Sequence, residues 1–392
     1  MIRAITLLEL EERMREIGVG IVGFGLMGRV HTYGYRTLPF FFDPAPARIR
    51  LVAVCDVRRE LAEKAKEAFA FEFATSDAQA VISRDDIQVV DICTPNQFHK
   101  DGLLAAIRAG KHINCDKPIT GAWPDAQEVG RALKGYAGIG HMELNSRFIL
   151  PALRAAQLIK EGFLGQVTQF RAGYYHAGSV DPKKPIGWKQ EAAGGGVIND
   201  LASHVVDLME CLVGPVSEVR AESQILYPLR PDAGGQLVRV EAEDAVTIQA
   251  RLRDGGMGVI EASKIATGTN DEIRVEIHGR CGALRFNSME PNYLEAYSAS
   301  DPEEPLGGLR GWRRVDTVNR FAKPGGWPGP KFAVGFLRSH VQCLYNFIGA
   351  VAENRKVRPS LEDGIRLQYL LENVRESAAD GSWHKIAGEI PC

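Results

Sequence analysis

Asp200 and His204 stand four residues apart in the run Gly194-Gly195-Gly196-Val197-Ile198-Asn199-Asp200-Leu201-Ala202-Ser203-His204-Val205-Val206-Asp207. On a helix that spacing puts a carboxylate and an imidazole on one face. Val197, Ile198, Leu201, Val205 and Leu208 make the rest apolar. Burying such a polar pair is costly unless it has a partner or a task. Imidazole titrates near neutral pH, so the chemistry on offer is proton transfer. A capping aspartate beside a satisfied core histidine is the competing reading. The three glycines let the backbone approach a ligand closely and start the helix. A second candidate is Lys117, in His112-Ile113-Asn114-Cys115-Asp116-Lys117-Pro118. A lysine where a strand opens can hydrogen-bond a hydroxyl or a developing alkoxide. It can also serve as a base if burial lowers its pKa.

A third constellation is built for binding. Gly23-Phe24-Gly25-Leu26-Met27-Gly28 fits G-x-G-x-x-G, follows the apolar run 17–22 and opens a helical pattern. Those glycines serve a tight turn, close approach to a pyrophosphate and helix–strand packing, with the helix N-terminus supplying donors. The next apolar run, 51–55, ends in Asp56, a carboxylate suited to both ribose hydroxyls and repelled by a 2′-phosphate. NAD is therefore favoured, although Arg58 and Arg59 just beyond can accept the phosphate of NADP. The interval from Gly28 to Asp56 is lengthened by the proline-rich insert 39–46. A later strand ends in Cys93-Thr94-Pro95-Asn96, with His99 soon after. Residues at the carboxyl ends of parallel strands line the ligand crevice, and Pro95 turns the chain out of the strand.

The elements that must hold these groups fall into two blocks. Strand patterns at 17–23, 49–56, 88–93, 112–116 and 138–142 alternate with helical patterns at 26–36, 58–70, 98–109 and 123–133. That alternation implies an α/β Rossmann domain with a parallel sheet, its strands apolar on both faces. After Arg147 a helical pattern at 150–161 leads into strand patterns at 166–175, 216–226, 245–252, 257–264, 272–278 and 283–286. Gly255-Gly256 marks a hairpin. Here the expectation is an α+β domain with a large open mixed or antiparallel sheet. Residues 298–330 read as a long loop, and 332–353 and 361–377 return to helical periodicity. The division is 1–146 and 147–392, with the C-terminal helices free to pack back on the first domain. An open sheet face favours self-association.

Composition excludes several classes. With 392 residues, 45% hydrophobic and 24% charged, the chain can bury two full cores. A net charge of −2 without a basic block gives no support to a nucleic-acid partner. Seven cysteines, an odd count with no C-x-x-C pair, argue against a disulfide framework and a zinc site. No apolar run reaches the roughly 18 residues of a membrane span, and the acidic, helical start of the chain is no signal peptide. A cytoplasmic protein is expected.

In this order the motifs resemble the Gfo/Idh/MocA oxidoreductases, relatives of glucose–fructose oxidoreductase and inositol dehydrogenase. The resemblance runs from Ile17 to the C-terminal helices, and the N-terminal helix and proline-rich insert are similar to a levoglucosan-dehydrogenase-like subgroup. It implies NAD(P), a sugar or polyol substrate, and a homodimer or homotetramer formed through the C-terminal sheet. Its Glu-Lys-Pro lysine corresponds to Lys117, and its helix Asp and His to Asp200 and His204. Asp116 stands where the family has Glu, one methylene shorter on the cofactor side. The resemblance also places polar substrate contacts at the domain junction, where His141, Glu143, Asn145 and Arg147 occur. Tyr174, His176 and Trp188 precede the glycine run, and Trp188 can stack on a sugar face or simply pack. The expected reaction is oxidation of a secondary alcohol by hydride transfer to nicotinamide. His204 would take the hydroxyl proton and Lys117 hold the oxygen, or the two would exchange roles, while Asp200 orients His204 or binds a neighbouring hydroxyl. Rival readings are an NAD-dependent glycosidase of the same fold and a non-catalytic sugar-responsive binding protein.

Overall fold

The computed structural model describes residues 15–191, 194–306, 308–317 and 336–388. The acidic segment at 7–12 and positions 332–335 lie outside them. In chain order the first block comprises β1 (Glu16–Val22), α1 (Leu26–Phe41), β2 (Arg48–Cys55), α2 (Arg59–Phe69), β3 (Phe73–Thr75), α3 (Ala78–Ile82), β4 (Val89–Ile92), α4 (His99–Arg108), β5 (His112–Asp116), α5 (Trp123–Ala132) and β6 (Gly140–Glu143). All six strands pair in parallel, in the order β3-β2-β1-β4-β5-β6. β1 is buried beyond its first residue and β4 throughout, as strands covered on both faces must be. The order reverses between β1 and β4, and a crevice opens there at the carboxyl ends.

Three local readings are corrected. β3 and α3 were not expected, because three and five residues are too short to show a period. The last strand of this sheet begins two residues later and ends one residue later than 138–142. Helix α1 runs on through Pro39 to Phe41, where the sequence suggested an insert. A proline in the final turn forfeits little, and Phe41 and Phe42 are buried there. The Phe42 ring stacks on Tyr345 with centroids 3.7 Å apart.

The second block follows as α6 (Leu150–Lys160), β7 (Val167–Tyr175), α7 (Ser203–Val213), β8 (Val216–Gln224), β9 (Leu229–Pro231), β10 (Leu237–Arg239), β11 (Ala245–Leu252), β12 (Met257–Ser263), β13 (Glu272–Gly279), β14 (Gly282–Asn287), β15 (Tyr293–Ser298), β16 (Arg313–Asp316), α8 (Phe336–Glu353), α9 (Leu361–Asp380) and β17 (His384–Lys385). Nine strands make one sheet, ordered β16-β15-β14-β13-β7-β12-β11-β8-β17, while β9 and β10 form a separate hairpin. Every pair in the large sheet is antiparallel except β12 with β7, so the sheet is mixed. β16 lies inside the stretch read as loop, and β15 ends where that stretch begins.

In β11 buried and exposed residues alternate, so one face of this sheet packs on helices and the other faces outward. α9 covers β8, begins with a reciprocal Ser360–Asp363 cap and ends at Gly381 in the left-handed region. α8 returns to the first sheet. Its Val341, Leu344, Phe347, Ile348 and Val351 share a core with Ile17, Val19, Phe24 and Tyr35. No described helix is long and apolar enough to cross a membrane.

Candidate active site

At the end of β1 the backbone of Gly23 has φ +96°, and a Cβ there would lie 2.6 Å from the Cys93 carbonyl carbon. Only glycine allows the two strand ends to approach this closely. Beside Gly25, by contrast, a Cβ would meet nothing within 4 Å. Gly25 is the N-cap of helix α1 and receives no side-chain cap hydrogen bond among the described residues, with Leu26, Met27 and Gly28 in the first turn. This is the cradle a pyrophosphate requires. Asp56 is fixed by its own neighbours: Oδ2 accepts from Phe24 N at 3.0 Å and Oδ1 from Arg58 N at 2.9 Å. Each oxygen keeps a lone pair for a ribose hydroxyl. Leu26 (77% exposed), Val57 (89%) and Phe98 (57%) rim the same edge of the sheet. Such side chains at the ends of three neighbouring strands form an apolar clamp for planar rings. Val57 and Phe98 have no periodic signal in the sequence.

The end of β4 supplies the inner wall. Asn96 is buried and gives its amide to Gly194 O at 2.8 Å, joining the two domains. Asn96 Oδ1 and Thr94 Oγ1 are buried without a partner, and Pro95 stands between them. Two orphaned polar atoms beside the cradle fit the polar groups of a dinucleotide. His99 is corrected from cofactor contact to strut. Its Nε2 faces Thr94 O at 2.7 Å and its Nδ1 faces Pro118 O at 3.0 Å, so neither nitrogen is free for a ligand. It ties the ends of β4 and β5 together, and burial lowers its pKa.

Lys117 leaves the end of β5, where its own N–H is held by Asp116 Oδ1 at 2.9 Å. Its ammonium gives a 2.5 Å hydrogen bond to the main-chain oxygen of Asp200 and lies 3.5 Å from that residue's Oδ1. Burial lowers the Lys117 pKa, against the pull of Asp200 and Asp116. The Asp200 carboxylate takes Lys189 Nζ at 2.9 Å and Lys264 Nζ at 3.2 Å. Burial alone would raise it, but Lys117, Lys264 and Lys189 outweigh burial and hold it well below the carboxylate range. Lys189 also lies over the Trp188 ring, 5.7 Å from its centre, which puts Trp188 at the mouth of the site.

Asp200 and His204 are near each other, but not on the regular helix their spacing suggested. Residues Ile198–Ala202 form a turn of π-helix before α7 begins. Ser203 explains the widening: its N–H reaches Ile198 O while its hydroxyl takes Asn199 O at 2.7 Å. Such bulges recur where side chains must be re-aimed at a site. His204 packs edge-on against Tyr174, with ring centroids 5.5 Å apart. Its Nδ1 lies 3.0 Å from Ser146 Oγ, so it is Ser146 and not Asp200 that orients the ring. Burial first, then Lys117, holds its pKa well below the usual value, so the imidazole is neutral at pH 7.

The junction residues stand one layer deeper than expected, which corrects the reading of three of them as substrate contacts. Arg147 is committed to a bidentate pair with Asp207, at 2.8 and 2.5 Å. Glu143 and His141 are fully buried. Glu143 Oε1 meets His340 Nδ1 at 3.1 Å, and His141 Nδ1 meets Asn114 Oδ1 at 2.6 Å. Behind them His31 and Tyr35 both meet Asp91, at 3.0 and 2.7 Å. This buried polar layer backs the wall from which Ser146 reaches His204.

The family profile described as "Oxidoreductase family, NAD-binding Rossmann fold" matches residues 17–142, and that of the "GFO/IDH/MocA C-terminal domain" matches residues 152–285. The chain belongs to the Gfo/Idh/MocA oxidoreductases. Among its relatives, levoglucosan dehydrogenase of Pseudarthrobacter phenanthrenivorans is 35% identical, over 94% of this chain and 98% of that one. Inositol 2-dehydrogenase of Rhizobium meliloti is 26% identical over the same shares. A solved levoglucosan dehydrogenase in complex with NADH and levoglucosan superposes with a TM-score of 0.91 at 34% identity, covering 96% of this chain and all of that one. This Gfo/Idh/MocA member is thus an NAD-binding oxidoreductase, and the cradle at Gly25 lies within the residues that the NAD-binding profile matches.

Proposed function

We propose that the protein oxidises a secondary alcohol of a sugar, polyol or anhydrosugar, with NAD as the hydride acceptor. The observation that carries this is the meeting of Lys117, at the end of β5, with Asp200, and His204 near enough to feel the charge of both. NAD, when bound, supplies an electrophilic ring carbon that accepts hydride. The chain's own groups manage the proton. Lys117, beside Asp200, has an ammonium that can hold the reacting hydroxyl and stabilise charge on its oxygen. His204, neutral with Nδ1 engaged, offers Nε2 to take the hydroxyl proton. The carboxylate of Asp200 stays anionic and serves neighbouring hydroxyls, and Trp188 at the mouth offers a ring face to the sugar. The relation to levoglucosan dehydrogenase supports anhydrosugars within the substrate class.

The chain is further proposed to self-associate through the outer face of the nine-stranded sheet. A groove of about 500 Å³ there is lined by Arg171, Arg274, Arg285 and Arg314 together with Glu261 and Glu276. Charges of both signs on one patch suit a self-complementary contact. Light scattering of wild type and of Arg274→Glu tests this, with a dimer or tetramer expected for the first and loss of mass for the second. Six described cysteines are free thiols, in keeping with a cytoplasmic setting.

The deciding experiment is NADH formation across a panel of sugars, polyols and anhydrosugars, with NAD and NADP in parallel. Turnover with at least one of them, faster with NAD, is expected. Binding of NAD with no turnover on the panel, or release of sugar from a glycoside without net NADH, would overturn the reading.

A further inference from the structure

Three ammonium groups surround the single carboxylate of Asp200, and they are not equivalent. Lys189 is about half exposed and bonds both oxygens, at 3.0 and 2.9 Å. Exposed pairs of this kind hold a geometry only weakly. Lys264 is 3% exposed and lies 3.2 Å from Oδ2. A second hydrogen bond, also 3.2 Å, joins its ammonium to Gly196 O. Lys264 therefore bridges Gly196, which precedes the π-helical turn, and Asp200 within it. Its backbone is pinned as well: its N–H donates to Asp244 O at 2.8 Å and its oxygen accepts from Ser179 N at 2.9 Å. Lys117, by contrast, spends its shortest bond on the Asp200 main chain and stands 3.5 Å from the carboxylate.

We propose that Lys264 is a positioning residue, a buried cation that shares the Asp200 carboxylate with Lys117, keeps it from closing further on that ammonium and so leaves the Lys117 ammonium available to the substrate oxygen. This rests on the dehydrogenase reading for its purpose but not for its test. A carboxylate that loses one of its two buried cations turns to the other, which is Lys117. A closed Lys117–Asp200 pair would bind the ammonium tightly in its charged form and withdraw it from the crevice. The charged and titratable groups facing Lys117 are Asp200, Asp116, Lys189 and His204. Those facing Lys264 are Asp200, Lys189 and Glu243, with His176 on the end of β7 feeling both Lys264 and Asp200. Removing a positive charge from this set favours protonation of every other member, so each titration moves to higher pH. A residue that only filled space would lower stability and leave those titrations where they are.

The test is the pKa of Lys117 in the full chain without substrate, read by competitive acylation across pH and peptide mass spectrometry. In Lys264→Met it should rise by about one pH unit, the size expected for losing a like charge a few ångströms away. Lys264→Arg, which keeps the charge, should stay near wild type. If Lys264→Met fails to fold, Lys264→Gln, which retains a donor for Gly196 O, takes its place with the same expected rise. An unmoved Lys117 in either folded neutral variant overturns the proposal. On active enzyme, the pH profile of kcat should move upward in the same variants. A wild type inactive on every sugar would sink the dehydrogenase reading while the acylation result still decides the role of Lys264.

Discussion

Ser146 Oγ sits 3.0 Å from His204 Nδ1, and Arg147, the next residue, clamps Asp207 one turn further along the same helix. Two neighbouring side chains on the turn after β6 thus set both the ring and the helix that carries it. Ser146→Ala should leave His204 in place but free its ring to rotate. We expect kcat to fall about 10-fold, the usual scale for losing an orienting hydrogen bond, with NADH affinity unchanged. Steady-state kinetics beside a fluorescence titration of NADH would show the split.

The Arg147–Asp207 pair carries a stability prediction. Asp207 is buried, and burial raises its pKa although Arg147 lowers it. Arg147→Met would leave an uncompensated buried carboxylate, at a cost of about 3–5 kcal/mol. Denaturant unfolding should show this loss, and adding Asp207→Asn to the same chain should recover part of it.

Asp56 carries a prediction about the choice of cofactor. Its oxygens accept from Phe24 N and Arg58 N at the end of β2. Asp56→Ser should weaken NAD by about 10-fold, roughly 1.4 kcal/mol, and raise kcat/KM with NADP relative to NAD. Kinetics with both cofactors check it; an unchanged ratio would remove Asp56 from the ribose site.

His31 makes a pH prediction. Burial would lower its pKa, but the carboxylate of Asp91 outweighs burial and pushes it up to about 10. The folded value therefore lies above the unfolded one of about 6.5. The stability it contributes is full below pH 6.5 and is lost as pH rises toward 10. Melting temperatures across that window should decline in wild type and decline less in His31→Asn.

Much of this was legible in residue order because local rules and global fold agree. The strand–glycine–helix junction at Gly23, the carboxylate closing β2 and the polar ends of β4 and β5 each follow from position along a parallel sheet. Legibility failed where distance in the chain is large. Lys264 meets Asp200 from 64 residues further along the chain, and no period announces it. Ser203 widens a helix through a hydroxyl that pattern reading treats as a surface residue. His141, Glu143 and Arg147 were placed in the right region and one layer too shallow. α8 covers two of them, with Phe347 stacked on His141 and His340 closing over Glu143 from 197 residues away, while Arg147 is tied to Asp207 on α7.

The central claim is that Lys117 and His204 together manage the proton of the alcohol while NAD takes the hydride. The most direct measurement is NADH formation on the best sugar of the panel by wild type, Lys117→Met and His204→Asn, each at saturating NAD. Both variants should bind NADH normally and lose at least about 100-fold in kcat, the scale of general acid–base and oxyanion assistance. Near-normal turnover in both would contradict the account.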